Sequence, residues 1–202
     1  MGGSRSFQTI HYGIDTEVFK PVKCDDEPRF TIAFGAASFD NARKGFKELL
    51  ASLRILHDEG YSFKCLVFGA GNLPKETQFF EIEQVGKVPR NKLAEVYSRA
   101  DVFVVPSLYE AFGLTAIEAM ACETPVVAFD TGGIPDSVVP FKTGLLAERA
   151  NVRDLAKKII WMIEHEEERR QMGMNARTHV LENFTLQQQV DKYMELYNKV
   201  LQ

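Results

Sequence analysis

From residue 29 to about residue 144, short apolar runs alternate with stretches whose apolar positions recur every three or four residues. Parallel strands joined by crossover helices leave that pattern, because such strands are buried on both faces and the helices on one. The run at residues 30–34, Phe-Thr-Ile-Ala-Phe, predicts the first strand. Phe46, Leu49, Leu50, Leu53 and Leu56 then form one stripe of a helix that Gly60 ends. Further strands are predicted at 64–68, 82–85, 102–105 and 126–129, with helices at about 92–99 and 113–121 between the later ones. The expectation is an α/β fold: a Rossmann-like, doubly wound parallel sheet of about six strands with helices on both faces and a helical C-terminal extension. Past Leu146 only helix is predicted. Val152, Leu155, Ala156, Ile159 and Ile163 share a face, residues 164–170 read as a solvated helix face, and a stripe from Leu186 through Val190, Tyr193, Met194, Tyr197 and Val200 to Leu201 predicts a last helix that packs against something.

Composition narrows the class without changing that picture. The chain has 202 residues, of which 45% are hydrophobic, enough for one sizeable core. Its formal charge of −4 carries no basic field, so no nucleic-acid partner is expected and any phosphate site must be local. Cys24, Cys65 and Cys122 are odd in number and far apart, which argues against a disulfide framework and a thiolate zinc site and fits a reducing, cytoplasmic setting. The four histidines share no metal-ligand spacing, so no metal is expected. No apolar run is long enough for a membrane span, and residues 1–4, Met-Gly-Gly-Ser, read as a tag remnant. Residues 1–28 are read as that remnant plus an incoming connection, and 29–202 as the domain.

In an open parallel sheet ligands bind beyond the carboxyl ends of the strands, so the residues after each strand carry the chemistry. After the first strand, Gly35 opens a small-residue loop that ends in Arg43 and Lys44 at a helix start. Backbone N–H groups, the helix dipole and those cations suit a phosphate, while a solvated loop with surface cations is the plain alternative. Gly69-Ala70-Gly71 marks a tight strand exit.

The sharpest feature follows the most apolar strand. Glu110 and Glu118 stand eight residues apart in a segment that also holds Phe112, Gly113, Leu114 and Thr115. Glu118 sits among Ala116, Ile117, Ala119 and Met120, so its carboxylate needs donors: an arginine, backbone groups, or the vicinal hydroxyls of a ribose or sugar. Glu110 either caps the helix or leaves the N–H groups of Phe112 and Gly113 to a ligand.

These residues resemble the donor-binding half of retaining glycosyltransferases of family 4, which have the two-domain GT-B architecture. Glu110 and Glu118 match that family's Glu-x7-Glu motif, within Pro106-Ser107-Leu108-Tyr109-Glu110-Ala111-Phe112-Gly113-Leu114. Gly13-Ile14-Asp15, Phe19-Lys20-Pro21, Lys44-Gly45, Gly69-Ala70-Gly71, Gly86-Lys87-Val88-Pro89 and Gly132-Gly133-Ile134-Pro135 agree in order, so the resemblance spans nearly the whole chain. It implies a nucleoside-diphosphate sugar as donor substrate, with no cofactor. Glu118 would hold the ribose hydroxyls and Glu110 would face the donor sugar. Backbone N–H groups of Phe112, Gly113, Leu114 and Thr115 would meet the sugar and the distal phosphate. Lys44 would neutralise the diphosphate, and Lys87, Val88, Pro89 and Arg90 would lie along the base. Glu110 and Lys44 are thus the catalytic pair, with Gly35, Arg43 and Gly69 completing the donor site.

Three positions depart from the family. Phe39 stands where it usually has an arginine five residues before the lysine, with Arg43 as the substitute. Tyr12 replaces an asparagine and Asp136 a glutamate. The family's amino-terminal acceptor domain is the expected partner and has no room in 202 residues. The full enzyme would transfer a hexosyl group to an acceptor hydroxyl in polysaccharide or glycoconjugate synthesis, in the cytoplasm or at the cytoplasmic face of a membrane. Membrane contact by this domain alone is not expected. A sugar-nucleotide epimerase, a phosphorylase-like transferase and a non-catalytic sugar-nucleotide-binding module are the alternatives.

Overall fold

A computed structural model describes residues 7–24 and 27–201. Residues 1–4, read as a tag remnant, lie outside the described residues. Six strands form one sheet: β1 (Phe30–Ser38), β2 (Phe63–Ala70), β3 (Glu81–Gly86), β4 (Val102–Val105), β5 (Val126–Phe129) and β6 (Gly144–Ala147), in the order β3-β2-β1-β4-β5-β6. Every neighbouring pair is parallel. Six helices complete the fold: α1 (Phe46–Asp58), α2 (Leu93–Ser98), α3 (Leu114–Ala121), α4 (Val152–Glu164), α5 (Glu166–Asn183) and α6 (Leu186–Val200).

Strand alternation divides the core in two. Ile32, Phe34, Val67, Val102, Val104, Val127 and Phe129 point to the face covered by α1 and α4. Ala33, Leu66, Phe68, Phe103, Val105, Val126 and Ala128 point to the face covered by α2, α3 and α5. Both faces are buried, which is why the central strands read as unbroken apolar runs. The strand order reverses direction between β1 and β4, so the loops after those two strands diverge around a crevice, the usual ligand position of such sheets.

Several expectations are corrected in detail. β1 runs on to Ser38, so Gly35 lies inside a strand and not in the loop; a Cβ there would fall 2.0 Å from the Phe68 ring. β6 is absent from the strands predicted one by one, and it supplies the sixth. The polar stretch 164–170 is not solvated throughout: Arg169 is buried and donates to the Met162 carbonyl at 2.6 Å and to Asp101 at 3.0 Å, tying α5 to α4 and to the residue preceding β4. α6 begins with a full capping box at Thr185 and Gln188, yet none of its residues is buried, and Val190, Met194, Tyr197, Val200 and Leu201 are exposed. The connection before β1 packs onto the domain. Ile14 and Phe19 are buried in the core, and Ile14 exchanges backbone hydrogen bonds with Phe184 and Leu186 at the junction of α5 and α6.

Candidate functional site

At the carboxyl end of β1, Phe39 turns inward and stacks on Phe46 at 5.0 Å, sealing the sheet end with Phe34. Asn41 then caps a short 3-10 turn, Ala42–Lys44, by accepting from the Arg43 N–H. Gly45, in the left-handed region at φ 72°, turns the chain into α1. This geometry presents Lys44 toward the crevice and leaves Arg43 exposed beside it. The inward turn also explains the departure at position 39: an aromatic ring there belongs to the core.

The loop after β4 lies directly against this turn. The Leu108 N–H donates to the Arg43 carbonyl at 2.8 Å, and a Cβ on Gly45 would stand 1.7 Å from the Pro106 carbonyl oxygen. From the other side Gly132, at φ 55°, presses on the Glu110 carbonyl, where a Cβ would come within 1.6 Å, and the Gly133 N–H donates to that carbonyl at 3.3 Å. Backbone on both sides therefore fixes Glu110. Its carboxylate accepts from Lys44 Nζ at 2.7 Å and from Ser107 Oγ at 3.3 Å, so the two residues paired by the sequence reading do meet.

Glu110 does not cap α3. Gly113 stands at the helix start at φ 91°, and no side chain of the described residues caps the first turn. The N–H groups of Gly113, Leu114 and Thr115 precede the first intrahelical bonds and point into the crevice end of the helix, a partly positive surface suited to an anion. Phe112 is buried beside them. Its ring stacks on His11 at 5.3 Å and meets Phe184 edge-on, while His11 Nε2 lies 3.3 Å from Asp136 Oδ2.

Glu118, on the first full turns of α3, is 8% exposed. Tyr97, fully buried on α2, donates to its Oε2 at 2.9 Å. Oε1 takes no hydrogen bond from the described residues. Burial pushes the Glu118 carboxyl above its ordinary value, and the Tyr97 hydrogen bond and the Arg90 charge offset only part of that. Arg90 belongs to the turn after β3, with its guanidinium 5.2 Å from the Phe19 ring centroid. Of its neighbours in that turn, Val88 packs on the core and Lys87 and Pro89 are exposed. Gly69, at φ 133°, lies where a Cβ would come 1.8 Å from the Ala36 carbonyl oxygen, so its glycine is required by the approach of β1 and β2.

Lys44, Glu110, the α3 N-terminus, Glu118 and Arg90 lie at the carboxyl end of the sheet, and Gly35 and Gly69, near the carboxyl ends of β1 and β2, are held there by close strand packing. Tyr97, Ser107 and His11 belong to the site and were not read from the sequence; Tyr97 had only its place on an apolar helix face to mark it. A cavity of about 640 Å³ at the opposite end of the sheet, lined in part by Glu27, Lys64 and Arg99, is a different matter. Lys64 there pairs with Glu27 and Glu83, and Arg99 with Glu83, which is held at about 2 chiefly by the Arg99 hydrogen bond and also by Lys64.

A doubly wound parallel sheet with an anion-receptive helix start and two fixed carboxylates at its carboxyl end has the architecture of one half of a GT-B glycosyltransferase. The profile of the glycosyl transferases group 1 family matches residues 16–179, and the chain belongs to that family. It is 33% identical over 165 residues to the capsular polysaccharide biosynthesis glycosyltransferase CapM of Staphylococcus aureus, covering 78% of this chain and 43% of that protein. Among solved structures it resembles sucrose-phosphate synthase from Thermosynechococcus elongatus, with TM-score 0.80 and 30% identity over 95% of this chain and 52% of that one. The fold is also that of Anabaena Alr3699/HepE, solved in complex with UDP and glucose, with TM-score 0.76, 19% identity, and 95% and 56% of the two chains covered. The chain spans about half the length of these relatives or less.

Proposed function

We propose that this chain is the donor-binding half of a retaining glycosyltransferase of family 4 and holds a nucleoside-diphosphate sugar at the carboxyl ends of β1 and β4. The observation that carries the reading is the Lys44–Glu110 pair beside the uncapped start of α3, with Glu118 one turn further along the same helix. Lys44 and the α3 N–H groups form a receptor for the diphosphate. Glu118 offers Oε1 to the ribose hydroxyls, with Arg90 and the turn after β3 beside the base. Glu110 faces the donor sugar. In the complete enzyme the bond from the anomeric carbon to the diphosphate breaks as an acceptor hydroxyl attacks from the same face. Lys44 and the helix start stabilise the charge that develops on the leaving group. An acceptor domain preceding this one would supply the other wall of the cleft. The relative solved with UDP and glucose supports a nucleotide-sugar donor, and the CapM relative supports a sugar-transferring role.

A thermal-shift panel of UDP, GDP, ADP and their glucose conjugates tests the reading. A ligand at 100 times its dissociation constant should stabilise the fold by about 2.7 kcal/mol. Lys44→Ala should weaken diphosphate binding by about 1 to 3 kcal/mol, measured by calorimetry, and unchanged affinity would remove Lys44 from the site. A second expectation concerns turnover. The 202-residue chain should bind the donor yet transfer no sugar, because closure around an acceptor needs two walls. A glycosylated product detected by mass spectrometry with this chain alone would refute that.

A further inference from the structure

Lys44 and Glu110 are already paired before any ligand arrives, and this pairing carries a consequence for ligand choice. We propose that Glu110 occupies Lys44 as an internal stand-in for the diphosphate, and that the hydroxyls of the donor's sugar release it, so that the site favours a nucleoside-diphosphate sugar over the bare nucleoside diphosphate. The inference rests on the donor-binding reading above and assigns that site a means of discrimination.

The backbone makes the pair an exchange device. The turn holding Lys44 and the loop holding Glu110 are locked together through the Leu108 to Arg43 hydrogen bond and the Gly45 contact with Pro106, while Gly132 and Gly133 clamp Glu110 from behind. Only the side chains are free to move, and the Lys44 side chain is 31% exposed against 14% for Glu110. The lysine, the more exposed of the two, is the partner with room to swing toward a ligand. Its ammonium lies 2.7 Å from Glu110 Oε2, so a diphosphate arriving alone must either take the cation from the carboxylate or sit near that carboxylate's charge.

A sugar changes the balance. Glu110 Oε2 already accepts from Ser107, and Oε1 takes no hydrogen bond from the described residues. Sugar hydroxyls donating to this carboxylate replace part of what Lys44 gives it, and the ammonium turns to the diphosphate without leaving Glu110 bare. Once the sugar has left, Glu110 reclaims Lys44 and the nucleoside diphosphate loses a counter-charge, which speeds its release.

The test is calorimetric titration of the unmodified chain, Glu110→Gln, Lys44→Ala and the double variant. The probes are whichever of UDP, GDP and ADP binds tightest, and its glucose conjugate. The unmodified chain should prefer the conjugate. Glu110→Gln keeps the shape and removes the charge, so it should bind the bare diphosphate about two- to fivefold tighter, the range set by a partly exposed ion pair, and lose the preference for the conjugate. In the Lys44→Ala background the same change should give a clearly smaller gain, since only the repulsion between Glu110 and the diphosphate is then relieved. Unchanged or weaker diphosphate binding by Glu110→Gln overturns the proposal, as does an equal gain without Lys44, which would mean plain repulsion between Glu110 and the diphosphate. If the unmodified chain binds none of the three diphosphates, the donor-binding reading itself fails. Melting curves verify folding. Should Glu110→Gln not fold, Glu110→Asp, whose carboxylate is drawn back from Lys44 by one methylene, should show a smaller gain, and no gain would overturn the exchange.

Discussion

Glu118→Gln should lose roughly 10- to 100-fold in nucleoside-diphosphate affinity while melting at a higher temperature than the unmodified chain at pH 7. The two effects have one origin. Glu118 is 8% exposed and, among the described residues, has a single donor, Tyr97, on one oxygen, so burial raises its pKa above 4.5 and the folded state bears a desolvation cost whenever the group is ionised. For a carboxyl raised on folding the linkage runs opposite to that of a salt-bridged one. Below about pH 4.5 the group is protonated in both states and costs nothing; as pH rises through the folded pKa, stability is lost, and above that pKa the loss is constant. The advantage of Glu118→Gln should therefore be absent at low pH, grow through that window, and level off toward neutrality. Melting curves across pH check the stability half.

The affinity half is read with a 2′,3′-dideoxynucleoside diphosphate. A carboxylate that serves ribose hydroxyls makes the unmodified chain prefer the ribonucleotide, and Glu118→Gln erases the preference. Equal binding of both nucleotides by the unmodified chain would leave Glu118 a structural partner of Tyr97 alone. A residue kept at a cost in stability and needed for ligand is the pattern expected of a binding site.

What the sequence made legible was whatever depends on local order. Strands β4 and β5 announce themselves because both faces are covered, and the stripe of α1 falls where its burial lies, whereas in α4 Leu155, Ala156 and Ile159 are buried as expected, Val152 and Ile163 are half-buried, and Met162 is buried in addition. Glu110 and Glu118 are recognisable because one motif carries both. Partners contributed by distant elements were not legible. Tyr97 meets Glu118 only because α2 packs beside α3. Arg169, in the midst of a glutamate-rich run, is buried because Asp101 and the Met162 carbonyl lie next to it after folding. Gly35 resembles a loop glycine until the Phe68 ring is placed over it. β6 is only four residues long, and its first residue is a glycine because the β5 backbone at Val126 approaches to where a Cβ would be 2.1 Å away. Glycine at a strand start weakens the very signal by which a strand is read.

A large effect on the fold is expected of Gly45→Ala. Two costs add at this position. At φ 72° any residue with a Cβ is strained by roughly 1 to 2 kcal/mol. The added Cβ would also stand 1.7 Å from the Pro106 carbonyl oxygen, a backbone atom that cannot rotate away. Relief requires the turn after β1 and the loop after β4 to separate, which breaks the Leu108 to Arg43 hydrogen bond and carries Lys44 away from Glu110. A loss of about 3 to 5 kcal/mol is expected, the upper range for single substitutions, and lowers the melting temperature of a domain this size by roughly 6 to 20 °C. Gly60 supplies the comparison. It has φ 88° but nothing within 4 Å of where a Cβ would stand, so Gly60→Ala isolates the conformational strain and should cost only about 1 to 2 kcal/mol. The difference between the two melting shifts measures how tightly the two site loops are pressed together. Equal shifts would mean that the loops part without cost, and the site would then owe its geometry to side chains alone. Unequal shifts, with nucleoside-diphosphate binding lost in Gly45→Ala and retained in Gly60→Ala, would show that the backbone junction beneath Lys44 and Glu110 is what holds the two charges at bonding distance.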